Sequence, residues 1–102
     1  MKVLFLGLGG VGQRHLRNFH QLTDGQHEYL TVSDRISKSK ISNSLELDES
    51  VNVFEKYSIT VLPKIDDALQ LKPSISFIST PSSLHFEQAK LSLINGANVY
   101  LE

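Results

Sequence analysis

Residues 3–12 of the sequence read VLFLGLGGVG, a short apolar run followed by a cluster of glycines. Four consecutive apolar residues that end at a glycine are typical of a short buried strand. A helical pattern begins near Val11 and stops at the sequence Thr23-Asp24-Gly25. The glycines at positions 7, 9 and 12 therefore lie between a strand and a helix.

The spacing of these glycines, G-x-G-x-x-G, is typical of a dinucleotide-binding turn. Gly7 permits a tight turn at the end of the strand, and Gly9 leaves room for a pyrophosphate beside the backbone. Gly12 lets the helix pack closely on the sheet, and the free amides of the first helical turn face the phosphates. Taken alone, the motif also fits a tight turn that binds no ligand.

An acidic residue follows the second predicted strand, Tyr29–Val32. Asp34 lies 22 residues after Gly12, close to the roughly 20 residues at which a carboxylate binds the adenosine ribose. The charge of Asp34 favours NAD, whereas Arg35, with Lys38 and Lys40, would favour the 2′-phosphate of NADP. We predict NAD as the cofactor and keep NADP as the alternative. Asp34 also fits the role of a simple turn cap.

Strand and helix patterns alternate along the rest of the chain. Three further strands are predicted, at Ile59–Leu62, Ile75–Ile78 and Asn98–Leu101. Helices are predicted at Leu45–Tyr57, at Asp66–Leu71, and after a cap at Ser82 or Ser83 over residues that include Phe86, Ala89, Leu93 and Ile94. A loop is predicted over residues 36–43.

The order βαβαβαβαβ predicts an α/β fold, a doubly wound parallel sheet of the Rossmann type between two helical layers. Each crossover must be right-handed, which places helices on both faces of the sheet. Ligands bind such sheets at the carboxyl ends of the strands. Gly7–Gly12, Ser33–Arg35 and Ser79–Ser83 are therefore expected at one edge.

The composition predicts one soluble domain. The 102 residues have a net charge of −1 and include no cysteine. The charge argues against a nucleic-acid partner, and the lack of cysteine excludes disulfides, thiolate zinc sites and a cysteine nucleophile. No apolar run reaches the roughly 18 residues of a membrane span, and the start does not read as a signal peptide. We predict a cytoplasmic protein with no membrane partner, and no metal site because no two histidines have ligand spacing with carboxylate support.

Essentially the whole chain resembles the amino-terminal domain of the Gfo/Idh/MocA family, named for glucose–fructose oxidoreductase and inositol dehydrogenase. The residues that carry the resemblance are Gly7–Gly12 with Arg14-His15-Leu16, Asp34, Ser79-Thr80-Pro81, His85, Glu87-Gln88-Ala89 and Gly96–Glu102. The resemblance implies that residues 1–102 form an NAD(P)-binding Rossmann domain. In this family a second, carboxy-terminal domain holds the substrate, which is usually a sugar, a sugar nucleotide or a cyclic polyol.

The resemblance also implies the cofactor-binding residues. Gly7, Gly9 and Gly12 would hold the pyrophosphate, Asp34 the adenosine ribose, and Thr80, Pro81 and His85 would border the nicotinamide. Our predicted set of cofactor-binding residues also includes Gly10, Val11, Arg35, Ser79 and Glu102. His85 is the best titratable candidate near the nicotinamide, with capping or packing as the alternative role. In the family a Lys-Pro pair follows this glutamate, and the lysine lies at the catalytic centre. Since the sequence stops at Glu102, we expect a cofactor-binding half without a complete active site, and we assign no catalytic residue.

Two other classes of function remain open. A Rossmann domain that stands alone would bind or sense a dinucleotide without catalysis. A methyltransferase would bind S-adenosylmethionine on a similar fold, although Gly12 and the sequence Ser79-Thr80-Pro81 fit dinucleotides better.

The fifth strand predicts marginal stability or self-association, because Val99, Tyr100 and Leu101 would lie at a poorly covered edge of the sheet.

Overall fold

A computed structural model describes residues 1–33 and 54–102 of the chain. The strands are β1 (Lys2–Leu6), β2 (Glu28–Val32), β3 (Thr60–Leu62), β4 (Ile75–Ile78) and β5 (Asn98–Leu101). The helices are α1 (Gly10–Leu22), α2 (Ile65–Gln70) and α3 (Ser82–Ile94), and residues 54–56 are also helical. The predicted loop over residues 36–43 and most of the predicted helix Leu45–Tyr57 lie outside the described residues.

The five strands form one parallel sheet in the order β3-β2-β1-β4-β5. This confirms the predicted doubly wound α/β fold. The chain winds outward from β1 to β3 and then crosses back to β4, so the direction of winding changes between β1 and β4. Ligands bind such sheets at this switch point, outside the carboxyl ends of the two strands.

Strand β1 lies at the centre of the sheet and supplies both hydrophobic cores. Its side chains at positions 3–6 are at most 2% exposed and point to alternate faces. Val3 and Phe5 pack on the face of the sheet that α1 covers, together with Leu16 and Tyr29. The other core contains Leu4, Leu6, Leu30, Ala68, Leu69 and Ile78. Burying each large side chain contributes about 1.5–3 kcal/mol, so the pairing of β1 with its neighbours is firmly fixed.

Helices α1 and α3 are each terminated by residues with positive φ angles. Helix α1 ends at Leu22 with Thr23 as its C-cap, and Asp24 and Gly25 then take positive φ angles of 58° and 66°, as the sequence predicts. Helix α3 ends at Ile94 with Asn95 as its C-cap, followed by Gly96 at a φ of 89°. Left-handed residues of this kind commonly terminate helices.

The predicted serine cap of α3 is wrong. Pro81 is the N-cap, Ser82 is already helical, and no capping bond from a side chain occurs at this helix start within the described residues. The proline ring fixes φ near the observed −56° and supplies the extended conformation that precedes a helix. The carbonyl of Pro81 accepts a hydrogen bond from the amide of Leu84 at 2.9 Å.

Candidate functional site

The turn after β1 rests directly on the end of β4. Gly7 has a φ of +91°, a left-handed conformation that favours glycine. A Cβ at this position would lie 2.9 Å from the carbonyl oxygen of Ser79 and 3.2 Å from Cγ2 of Thr80. The amide of Ser79 in turn donates to the carbonyl of Leu6 at 2.8 Å. Both the backbone angle and the lack of space therefore require glycine at position 7.

Helix α1 approaches the same turn so closely that only glycine fits at position 12. A Cβ on Gly12 would lie 2.0 Å from the carbonyl oxygen of Gly7, far inside any real carbon–oxygen contact. Gly12 is buried. The start of α1 is thereby held against the end of β1.

Gly9 differs from Gly7 and Gly12, because neither its backbone nor its surroundings require glycine. Its φ is −76°, an angle that any residue adopts. No described atom lies within 4 Å of the position that a Cβ would take at Gly9, and the same holds at Gly10. The lack of side chains here leaves open space beside an exposed backbone, which is the requirement for close approach of a phosphate group.

The N-terminus of α1 faces this open space with its positive end. The helix begins at Gly10, and the first amides of a helix have no partner within the helix. Within the described residues, no acidic residue stands in the first turn and no side chain caps it. Gln13 Nε2 donates to the carbonyl of Leu8 at 2.9 Å and so ties the glycine turn to helix α1. An anion placed here would gain about 0.3–1 kcal/mol from the helix dipole, in addition to hydrogen bonds from the amides.

The loop after β4, which begins at Ser79, borders the glycine turn at Gly7. Oγ of Ser79 is buried and has no hydrogen-bond partner among the described residues. Thr80 Oγ1 donates to Gln88 Oε1 on α3. His85 Nε2 lies 2.6 Å from the carbonyl oxygen of Thr80 and must be the donor, since a carbonyl only accepts. This hydrogen bond ties the His85 ring to the loop after β4, which is the contact that a packing role of His85 requires.

We predict that His85→Ala destabilises the chain. The free energy of unfolding is expected to fall by about 1 kcal/mol, because the substitution removes the hydrogen bond to Thr80. The melting temperature would fall by roughly 4–8 °C. His85→Gln retains an N–H donor and is expected to lose less. Thermal unfolding followed by circular dichroism tests this, and unchanged melting temperatures for both variants would contradict the packing role.

The end of β5 joins the same edge through a side-chain pair. His15 Nε2 on α1 lies 3.0 Å from Glu102 Oε1, and the amide of Glu102 donates to the carbonyl of Ile78 at 3.0 Å. The His15 ring lies 5.9 Å from the ring of Phe77 and 5.1 Å from that of Tyr100, centroid to centroid. Both His15 and Glu102 are among the residues of interest in the sequence. Their pairing is not predicted from it, because they are 87 residues apart in the chain.

The structure therefore brings together most of the predicted site. The glycine turn, Ser79 and Thr80 are in contact, and His15 links Glu102 to the same helix. Asp34 and Arg35 lie outside the described residues. Within residues 1–33 and 54–102, no group of three His, Asp or Glu side chains is placed to hold a metal, and no helix is long and apolar enough to cross a membrane.

Comparison with known proteins gives one family and several solved structures. The family described as "Oxidoreductase family, NAD-binding Rossmann fold", Gfo/Idh/MocA, matches residues 1–102. No curated protein sequence matches the chain. Among solved structures, the chain is similar to the WlbA dehydrogenase from Chromobacterium violaceum in complex with NADH and UDP-GlcNAcA, with a TM-score of 0.72 and 17% identity. It is also similar to the UDP-N-acetylglucosamine 3-dehydrogenase GnnA from Acidithiobacillus ferrooxidans, with a TM-score of 0.65 and 16% identity.

The alignments with the solved structures cover nearly all of this chain but only a small part of the other proteins. The alignments include 99% of this chain but only 26% of WlbA and 28% of GnnA. The chain thus spans about a quarter of the length of these dehydrogenases. At this level of identity the likeness to the solved structures is a likeness of fold.

Proposed function

Because the chain belongs to the Gfo/Idh/MocA oxidoreductase family through its NAD-binding Rossmann fold, we propose that residues 1–102 are the dinucleotide-binding domain of a dehydrogenase. The observation that carries this proposal is the open space beside Gly9, which the amides at the start of α1 face. A turn needed only for the fold would require glycine at positions 7 and 12, but not at position 9.

The residues present fit a bound NAD. The backbone at Gly9, Gly10 and Val11 would hold the pyrophosphate, because the amides there are the first of α1. The buried, unpartnered hydroxyl of Ser79, together with Thr80, would border the nicotinamide. We propose that Pro81, His85 and Glu102 also lie beside the nicotinamide. When bound, NAD supplies the hydride transfer, while this domain binds and orients it.

We propose a sugar-like substrate, held by a second domain outside these 102 residues. The support is that WlbA was solved in complex with UDP-GlcNAcA and that GnnA is a UDP-N-acetylglucosamine 3-dehydrogenase. A sugar nucleotide is therefore the favoured class among the sugars and polyols. Hydride would move between the nicotinamide and a carbinol carbon of the sugar. In this proposal the 102 residues alone bind the cofactor but do not turn over substrate.

We predict that the chain binds NAD⁺ more tightly than NADP⁺ and that Asp34→Ala removes the preference. Charge-assisted hydrogen bonds contribute about 1.5–3 kcal/mol, so NAD⁺ affinity should fall roughly 10- to 100-fold in the variant. Affinity for NADP⁺ should stay the same or rise, because the repulsion of the 2′-phosphate disappears. Isothermal titration calorimetry with each dinucleotide measures both effects.

A matched control removes a carboxylate at the opposite end of the sheet. Asp24→Asn suits this purpose, because Asp24 follows α1 at the amino ends of the strands and asparagine tolerates its positive φ. We expect its NAD⁺ affinity to equal that of the unmodified chain. A folded chain that binds neither dinucleotide would contradict the proposed function, and a preference for NADP⁺ would transfer the adenosine role to Arg35, Lys38 and Lys40.

A further inference from the structure

His15 on helix α1 lies between this helix and the sheet. Its side chain is 14% exposed, and its ring stacks on Phe77 of β4 and makes an edge-to-face contact with Tyr100 of β5. Phe19, four residues later on the same side of α1, packs on the same Phe77 ring at 5.6 Å, centroid to centroid. Because an apolar ring makes that contact, packing on the sheet does not by itself require a histidine at position 15.

The imidazole of His15 holds the side chain of Glu102. Its Nε2 lies 3.0 Å from Oε1 of Glu102 and must be the donor, since an ionised carboxylate only accepts. Hydrogen bonds to an ionised group are stronger than those between neutral groups. The amide of Glu102 also donates to the carbonyl of Ile78 at 3.0 Å. Both the backbone and the carboxylate of Glu102 are therefore held, while its side chain stays 42% exposed.

The register of the sheet places this carboxylate beside the proposed cofactor site. Ile78 pairs with Leu101, so Glu102 stands next to Ser79 at the carboxyl edge of the sheet. Ser79 in turn closes the space around Gly7. A free glutamate rotates about several side-chain bonds, and a group that is fixed before a ligand arrives loses less entropy on binding. A carboxylate held in this way is prepared to accept hydrogen bonds from a ligand at this edge.

We infer that His15 is a positioning residue for the cofactor, because it holds the Glu102 carboxylate where that group accepts hydrogen bonds from the nicotinamide half of NAD. This inference rests on the proposed function. His15 does not touch the cofactor in this arrangement and acts only through Glu102. Helix α1 would then serve both halves of the dinucleotide, with its first amides at the pyrophosphate and His15 behind the carboxylate.

Two substitutions at position 15 separate positioning from packing. His15→Phe keeps a ring against Phe77 and Tyr100 but removes the donor to Glu102. His15→Gln keeps an N–H donor near the position of Nε2 but removes the ring. The positioning role predicts that His15→Phe lowers NAD⁺ affinity about three- to tenfold and that His15→Gln lowers it by less than about twofold. A role in packing alone predicts the reverse order.

Calorimetric titrations with NAD⁺ and with ADP show which half of the cofactor each variant affects. ADP carries the adenosine and the pyrophosphate but lacks the nicotinamide half, so ADP affinity should be equal in all variants. Glu102→Ala should lower NAD⁺ affinity at least as much as His15→Phe. The double variant should bind NAD⁺ as Glu102→Ala does, because His15 acts through the carboxylate.

His20→Phe is the matched control, since it is the same substitution on the same helix. Nδ1 of His20 lies 2.9 Å from the hydroxyl of Tyr29, near the other end of α1. The control should bind both ligands as the unmodified chain does. Circular dichroism verifies that each variant is folded. His15→Leu, which also lacks a donor, gives the same comparison if the phenylalanine variant does not fold.

Failure of the inference is distinguishable from failure of the proposed function. A chain that binds neither NAD⁺ nor ADP contradicts the dinucleotide site and the positioning role with it. A chain that binds both ligands, with NAD⁺ affinity unchanged in His15→Phe, contradicts the positioning role alone. The same holds if ADP affinity falls together with NAD⁺ affinity, if His15→Gln loses as much as His15→Phe, or if the double variant binds NAD⁺ more weakly than Glu102→Ala.

Discussion

Gly12→Ala is expected to destabilise the chain by about 2 kcal/mol or more and to abolish measurable NAD binding. The new Cβ would lie 2.0 Å from the carbonyl oxygen of Gly7, so α1 must move away from the end of β1. Overpacking costs typically 1–3 kcal/mol, and a clash with backbone cannot be relieved by rotating a side chain. The usual gain of about 1 kcal/mol when alanine replaces glycine in a helix does not offset a displaced helix.

Two measurements test this expectation. The melting temperature should fall by roughly 8–16 °C, and a calorimetric titration with NAD⁺ should show no heat of binding. Gly10→Ala is the control for stability, because no described atom lies within 4 Å of the added carbon, and it should melt within a few degrees of the unmodified chain. A Gly12→Ala chain of normal stability that binds NAD⁺ would show that the turn is not packed as described.

Gly9→Ala is expected to have the opposite pattern, with near-normal stability and greatly weakened NAD binding. The backbone at Gly9 has an ordinary φ of −76°, and the added carbon contacts no described atom. The free energy of unfolding should therefore change by less than about 1 kcal/mol. The carbon would occupy the space proposed for the pyrophosphate, so NAD⁺ affinity should fall at least about tenfold, or 1.4 kcal/mol.

The contrast between the two glycine variants separates a binding turn from a purely structural one. Thermal unfolding and calorimetry are run on both chains under the same conditions. If Gly9→Ala binds NAD⁺ as tightly as the unmodified chain, the space beside Gly9 does not hold the pyrophosphate, and the proposed site fails. If Gly9→Ala unfolds as readily as Gly12→Ala, the added Cβ must meet other atoms, and the open space beside Gly9 is contradicted.

The parts of the fold that the sequence predicts well are those decided by local signals. β4 and β5 begin and end where predicted, at Ile75–Ile78 and Asn98–Leu101, because apolar and β-branched residues are bounded there by proline, serine, asparagine and glycine. The start of α3 was misplaced by one residue or two, since Pro81 and the two serines are all acceptable before a helix. Only the backbone angles of the folded chain choose between them.

The candidate site contains both local and distant parts. The glycine spacing predicts the turn, but it does not reveal that Ser79 closes the space around Gly7. It also gives no hint that His15 pairs with Glu102, stacks on Phe77 or makes an edge-to-face contact with Tyr100. Such contacts depend on which strands become neighbours. The exposure of Phe86 is equally invisible, because an apolar residue in a helical pattern is by default assigned to a core.

The contact between Gly7 and the end of β4 has a consequence for the order in which the protein is made. Of the five strands of this sheet, β1 leaves the ribosome first, yet it occupies the middle of the sheet and its turn is completed by a strand that emerges about 70 residues later. Contacts so distant in sequence form late in folding, because a long loop must close first. A nascent chain that stops before β4 would lack Ser79 and Thr80, so in the proposed site NAD could not act as a template for the early steps. Bound at that site, the cofactor would stabilise the sheet only after β4 has joined it, which makes its capture a late step in the folding of this sheet.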